Sequence, residues 1–348
     1  MKALVYHGEG QKSWEDVPDP RLQDDTDAIV GIDAVTICGT DLHILKGDVP
    51  EVTNGRILGH EAIGTVESVG TAVRNVQPGD RVLISCISGC GICSFCRQGH
   101  YGQCLGGGGW VLGHLIDGVQ ADFSRIPYAD NSLYRLPATM PAESAVLLAD
   151  ILPTSFEVGV LAAHVQPGDT VVIVGAGPIG LAAVMTARLF SPGHIMVIDP
   201  VSTRLDAAKA FGADMVSQNI SGTGDAEMLV ADITGDLGAD VVIEAVGLPE
   251  TFELCTRLVR PGGHVANVGV HGKPATLHLE SLWIKNVTIT TGLVDTSSTA
   301  RLLTLVRNGQ LNPSSLVTHT FQLSQMMEAY DVFARAGETS AIKVVCTK

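Results

Sequence analysis

The sequence predicts an α/β fold in which a doubly wound parallel sheet is joined to a second, β-rich domain. Three observations carry that expectation. Apolar runs alternate with helical stretches from about residue 153 onward, a glycine-rich turn follows the first of those runs, and the first 150 residues hold short runs split by Gly, Pro and Asp. At roughly 150 residues per domain, 348 residues are expected to form two domains.

Taken in order, the runs at 28–35, 62–69 and 81–85 read as strands of the first domain. The second domain opens with a strand at 170–174 and a helix at 179–190, followed by a strand at 195–199 and a helix at 203–211. Further strands are expected at 240–244, 264–270 and 287–290. A strand buried on both faces of a parallel sheet loses its polar alternation, and Val171-Val-Ile-Val174 and Val241-Val-Ile243 show this. After Thr290 the alternation stops. Helices at 299–308 and 323–336 and a last strand at 341–345 form a tail expected to return to the sheet of the first domain.

Charge and hydropathy exclude several functions. Lys and Arg number 22 against 37 Asp and Glu, a net charge of −15, whereas nucleic-acid binding draws its affinity from basic side chains that displace counterions. No nucleic-acid partner is expected. The N-terminus lacks the long apolar stretch of a signal peptide, which points to the cytoplasm. The most apolar segment, 171–185, is interrupted by Gly175, Gly177, Pro178 and Gly180 and falls short of the roughly 18 residues of a membrane span, so no membrane association is expected.

Five of the eight cysteines lie between Cys86 and Cys104. Cys90, Cys93, Cys96 and Cys104 have the close spacing that turns thiolates inward on one zinc ion, and four protein ligands leave no position for a substrate. Such a zinc is structural. A redox CxxC pair and an iron–sulfur cluster are the alternatives, and a zinc ribbon for nucleic acid is disfavoured by the scarcity of basic residues around the cluster. Cys86, Cys255 and Cys346 read as small buried residues.

The run from Thr170 passes directly into Gly175-Ala-Gly177-Pro178-Ile179-Gly180 and then a helical stretch, which is the Rossmann dinucleotide fingerprint. Gly175 permits the turn, Gly177 lets the backbone approach a pyrophosphate, and Gly180 lets helix and strand pack closely. Nineteen residues after Gly180, Asp199 ends the second strand, where a carboxylate accepts bonds from ribose hydroxyls and repels a 2′-phosphate. This favours NAD over NADP, although Arg204 can offset the repulsion. A methyltransferase uses a similar turn and acid, but nothing else here resembles one.

Three further segments have ordinary readings when taken singly: Cys38 as a small core residue in Cys38-Gly-Thr-Asp-Leu-His43, His60 as a loop histidine in Gly59-His-Glu-Ala-Ile-Gly64, and Asp150 as a turn or cap in 148–154. Together with Gly70, Pro78-Gly-Asp-Arg-Val82, the four cysteines and the fingerprint with Asp199, they resemble the zinc-dependent medium-chain alcohol dehydrogenases, most closely the bacterial secondary-alcohol dehydrogenases. The resemblance covers essentially the whole chain.

The resemblance implies a GroES-like catalytic domain of residues 1–152 and 296–348 bearing the structural zinc loop, and a Rossmann domain of 153–295. It implies two zinc ions per chain. The catalytic one is expected on Cys38, His60 and Asp150, with Glu61 as a displaceable fourth ligand. One thiolate and one carboxylate neutralise the divalent ion as two thiolates would, so Asp150 in place of a cysteine leaves the charge balance intact. Thr40 and His43 are expected to relay the proton. Thr154 is expected behind the nicotinamide, Gly269 and Val270 at its carboxamide, and Ile87, Trp110 and Leu293 along the substrate pocket, where core packing is the ordinary alternative.

The implied reaction is reversible oxidation of a secondary or small apolar alcohol to a ketone or aldehyde, by hydride transfer to NAD from a zinc-bound alkoxide. Within the family a polyol, threonine or butanediol dehydrogenase is the alternative. In a different class stands a non-catalytic NAD-binding redox sensor. The partner is a small-molecule alcohol or carbonyl compound, and similar bacterial enzymes imply a homo-oligomer, a tetramer.

Overall fold

The computed structural model describes residues 1–218 and 225–348. In chain order its strands are β1 (Lys2–Tyr6), β2 (Lys12–Asp16), β3 (Ala28–Thr36), β4 (Ala62–Val69), β5 (Arg81–Ile84), β6 (Phe123–Ile126) and β7 (Leu133–Arg135). They continue as β8 (Thr170–Val174), β9 (His194–Ile198), β10 (Met215–Ser217), β11 (Ala239–Glu244), β12 (Val259–Asn267), β13 (Thr288–Thr291), β14 (Val317–Gln322) and β15 (Lys343–Thr347). The chain divides into two compact units, Met1–Pro153 with Val294–Lys348, and Thr154–Leu293.

The first unit holds a sheet in the order β14-β15-β3-β4-β5-β7, with β6 also paired to β3, and a separate β1-β2 hairpin. The tail does return. Val345, Cys346 and Thr347 of β15 pair antiparallel with Thr36, Val35 and Ala34 of β3. Apolar side chains from distant stretches form one core here, among them Leu4, Ile32, Ile44, Leu58, Ile84, Leu112 and Val344. β2 and β14 escape a reading by hydrophobic pattern because neither buries any of its residues fully.

The second unit is a parallel sheet in the order β10-β9-β8-β11-β12-β13. Counted within the unit, that is 3-2-1-4-5-6, the order of doubly wound dinucleotide-binding folds, whose ligand crevice lies beyond the strand ends where the winding reverses. β8 sits at that reversal and leads into the glycine turn. All five of its residues are buried, as a central parallel strand requires. The strand expected at 264–270 instead runs Val259–Asn267, through Pro261-Gly-Gly, where pairing with β11 shifts register. Gly269 and Val270 therefore lie past its end.

In the turn, Gly175 has φ +104°, a left-handed backbone that favours glycine. A methyl group on Gly180 would collide with the Gly175 carbonyl oxygen, whereas one on Gly177 would meet nothing within 4 Å. Gly180 is thus fixed by packing and Gly177 faces open space, the division of labour that the fingerprint assigns to them. Gly177 caps the helix Pro178–Ala187, and Pro178 occupies its first turn, where its missing N–H costs nothing. Among the described residues no helix is long and apolar enough to cross a membrane.

Candidate active site

Cys38 ends the loop after β3 and is the residue just before the short helix Gly39–Leu45, His60 and Glu61 lie immediately before β4, and Asp150 precedes the short helix Ile151–Thr154. All belong to the first unit. One ligand atom from each of Cys38, His60, Glu61 and Asp150 lies within 4.8 Å of the others. Cys38 Sγ is 3.9 Å from Asp150 Oδ2, and His60 Nε2 is 3.4 Å from the same oxygen.

These spacings fit a tetrahedral ion. Zinc bonds of about 2.3 Å to sulfur and about 2.0–2.1 Å to nitrogen and oxygen give edges of about 3.3–3.8 Å. The chemistry of the donors agrees, since a thiol, an imidazole and a carboxylate crowded into a buried place have no use for one another unless a cation neutralises them. Burial raises the pKa of Cys38. At His60 burial opposes the charged form, yet Asp150 and Cys38 beside it hold the pKa well above the ordinary value.

Glu61 is already occupied. Its carboxylate accepts from Lys343 Nζ at 2.6 and 2.9 Å and from the Thr36 hydroxyl. Lys343 also bonds Thr36 Oγ1 at 3.0 Å and the Ile37 carbonyl at 3.3 Å, and is 2% exposed against 1% for Glu61. Burial opposes its charge, but the Glu61 carboxylate raises its pKa nonetheless. Sequence reasoning misses this lysine, because nothing in β15 distinguishes a buried Lys from an exposed one.

The four-cysteine segment forms the second cluster, with one sulfur from each within 4.8 Å of the rest. Cys90 Sγ and Cys96 Sγ are 3.9 Å apart, the edge of a sulfur tetrahedron around zinc. Backbone N–H groups of Cys90 and Gly106 point at Cys104 Sγ at 3.3 and 3.4 Å. The Cys96 N–H does the same for Cys93, whose thiol is drawn down to about 6, while burial pushes Cys96 up to about 12.

Around the first cluster, Thr40 Oγ1 is 3.7 Å from Cys38 Sγ. His43, one helical turn further on, pairs through Nδ1 with Asp48 at 2.8 Å and is one-third exposed. The Trp110 ring stands edge-on to His60 at 6.1 Å and stacks on His114 at 4.2 Å. Ile87 is 1% exposed and donates its N–H to Ser85 Oγ. Cys86 is buried as expected, and burial together with the nearby Asp150 carboxylate pushes its thiol well above the ordinary range, a proximity its sequence context did not reveal.

In the second unit, Asp199 is 3% exposed. Its Oδ2 accepts the Ala176 N–H at 2.7 Å inside the glycine turn and its Oδ1 accepts the Val201 N–H at 2.8 Å, so the carboxylate also braces the turn. Arg204 Nη1 lies 3.9 Å from Asp199 Oδ2. Ile179 is the second residue of the helix Pro178–Ala187, and Thr154 directly precedes a π-helical segment, Ser155–Leu161. Gly269 packs against Gly247 and Glu244, while Val270 and Leu293 are exposed.

Residues 24–138 match the family described as alcohol dehydrogenase GroES-like domain, and residues 178–307 the family described as zinc-binding dehydrogenase. The solved apo form of zinc-dependent alcohol dehydrogenase 2 from Streptococcus pneumoniae is 46% identical with a TM-score of 0.96, covering 100% of this chain and 98% of that one. An alcohol dehydrogenase of Cupriavidus necator is 36% identical over 355 residues, 96% of this chain and 95% of the relative. An NADP-dependent isopropanol dehydrogenase of Thermoanaerobacter brockii is 35% identical over 332 residues, 92% of each. With both domain families matched in order and relatives aligned nearly end to end, the chain belongs to the zinc-dependent alcohol dehydrogenases, oxidoreductases that join a GroES-like domain to a Rossmann-type sheet.

Proposed function

We propose that this enzyme reversibly oxidises small secondary or apolar alcohols to the ketone or aldehyde, with NAD as hydride acceptor and two zinc ions per chain. The observation that carries the reading is the convergence of Cys38 Sγ, His60 Nε2 and Asp150 Oδ2. Cys38, His60 and Asp150 hold the catalytic zinc, with Glu61 in reserve on Lys343, and Cys90, Cys93, Cys96 and Cys104 hold the structural one. When bound, zinc supplies Lewis acidity to the alcohol oxygen, and the nicotinamide supplies the hydride-accepting carbon.

The side chains do the rest. The Thr40 hydroxyl, next to Cys38, takes the proton of the alcohol and hands it on toward His43. His43 is paired with Asp48 at the water boundary, which suits it to release that proton. Trp110 and Ile87 give the substrate an apolar wall, a part also assigned to Leu293. Isopropanol, the alcohol in the name of the Thermoanaerobacter relative, is a small secondary alcohol of the kind proposed. Gly175, Gly177, Pro178, Ile179 and Gly180 are assigned to the pyrophosphate, Thr154, Gly269 and Val270 to the nicotinamide, and Asp199 with Arg204 to the adenosine ribose.

A panel of secondary alcohols, primary alcohols and diols, followed by NADH absorbance, tests the substrate class. Secondary alcohols are expected to exceed diols in kcat/KM by at least about tenfold, since an apolar wall discriminates by about 1–3 kcal/mol. Diols turned over as well as isopropanol would favour a polyol enzyme, and no turnover of any alcohol by a protein holding both zincs would favour the redox sensor. For the cofactor, Asp199→Gly is expected to raise the NADP-to-NAD ratio of kcat/KM by about tenfold or more, the equivalent of about 1.4 kcal/mol. An unchanged ratio would show that the acid does not reach the ribose.

Assembly as a homo-oligomer, a tetramer by analogy, is supported by the exposed Trp283 and Ile284 beside the edge strand β13. A cytoplasmic setting is supported by the use of cysteine as a metal ligand.

A further inference from the structure

Behind His60 runs a buried polar chain that the proposed chemistry does not use. Asp41 lies in the short helix after Cys38, Gln120 between β5 and β6, and Tyr330 in the helix Met326–Ala334. Each is at most 1% exposed. The Tyr330 hydroxyl donates to Gln120 Oε1 at 2.8 Å, and Gln120 Nε2 donates to Asp41 Oδ2 at 3.1 Å. The second N–H of that amide reaches the Thr36 carbonyl at 3.4 Å. Asp41 Oδ2 also takes the Cys38 N–H at 2.9 Å, which leaves Oδ1 facing His60 Nδ1 at 3.9 Å.

The donor and acceptor count fixes every orientation. Nothing but acceptors surrounds Gln120 Nε2, so its amide must present nitrogen to Asp41 and oxygen to Tyr330, and the tyrosine must be the donor. Among the described residues neither Asp41 Oδ1 nor His60 Nδ1 has a hydrogen-bond partner, and at 3.9 Å each is the polar atom the other faces. A carboxylate facing Nδ1 favours the tautomer that leaves the Nε2 lone pair free, and Nε2 is the nitrogen aimed at Asp150. Gln120 also ties the two ligand-bearing segments together. Its N–H bonds the Leu58 carbonyl, and its side chain lies so close to Gly59 that a methyl group there would stand 2.5 Å from Gln120 Cγ.

We propose that Tyr330 is a positioning residue for the metal-binding histidine, acting through the amide of Gln120 and the carboxylate of Asp41. Without the hydroxyl, Gln120 Oε1 is left buried without its donor, the amide is held from its nitrogen side alone, and its grip on Asp41, and with it the carboxylate's place beside the imidazole, slackens. The inference rests on the proposed zinc at Cys38, His60 and Asp150. Its effect is on how firmly metal is held, so it is read without any assay of turnover.

The test is Tyr330→Phe in the full chain, which keeps the ring and removes one oxygen. Zinc affinity is measured by competition with a chelator, and the site is also examined by the absorption of the cobalt-substituted protein. Loss of an outer partner of a metal-binding histidine weakens retention by about 10–100-fold. A loss of about tenfold is expected at the Cys38 site, with a shifted cobalt band, while the four-cysteine zinc, an internal control for folding, is unchanged. Gln120→Glu, which has no donor for Asp41, is expected to act in the same direction. Equal affinity and an unchanged cobalt spectrum in both variants would overturn the inference while the metal reading stands. A wild-type chain that keeps only the four-cysteine zinc would overturn both.

Discussion

Replacing Cys38 by serine is expected to cut kcat/KM by about 10³-fold, the equivalent of about 4 kcal/mol of transition-state stabilisation that a Lewis acid supplies. Metal analysis of the same protein should show one zinc lost and the four-cysteine zinc retained. The two measurements belong together because Cys38 does more than offer a sulfur. Its N–H anchors Asp41, and its sulfur stands beside both Thr40 and Asp150. Serine keeps that backbone geometry but is a poor zinc ligand, so a loss of activity accompanied by loss of one zinc isolates the role of the thiolate. Activity within tenfold of the wild type would remove Cys38 from the chemistry.

The second large effect is on stability. Lys343→Met would leave the Glu61 carboxylate buried without its cation, and breaking a buried pair from one side costs about 3–5 kcal/mol. The midpoint of denaturant unfolding of the metal-free protein should fall accordingly. Adding Glu61→Gln removes the stranded charge and should restore a large part of the loss, a non-additivity that a mere packing defect at Lys343 would not produce. A single variant as stable as the wild type, or a double variant no better than the single, would show that the pair is not what holds this end of β15.

How much of this was legible in the sequence depends on how far apart the cooperating residues lie. The glycine turn and the four cysteines are local patterns, complete within a few residues, and their geometry follows from spacing. Cys38 and Asp150, 112 residues apart, are unremarkable singly and became a candidate pair only through family resemblance. Lys343 stands 282 residues from Glu61, and Tyr330 stands 210 from Gln120. Such residues carry no signal of their own, because a polar side chain in a buried place is defined by its partner, and hydrophobic periodicity records only where apolar groups go. The same limit hid β2 and β14, neither of which has a fully buried residue to mark an inner face.

The placement of β15 also bears on how the molecule is made. Its neighbours are β3, from the early part of the chain, and β14, from the same late stretch. During synthesis the whole intervening dinucleotide-binding unit emerges before β15 does, so the inner edge of β3 and the acid at Glu61 wait uncovered on the ribosome until translation is nearly finished. The second unit, contiguous in the chain, can fold while the first is still open. Chaperone demand should therefore concentrate on the nascent first unit, and a chain stopped short of Lys343 would be recognised by proteases as an unfinished protein.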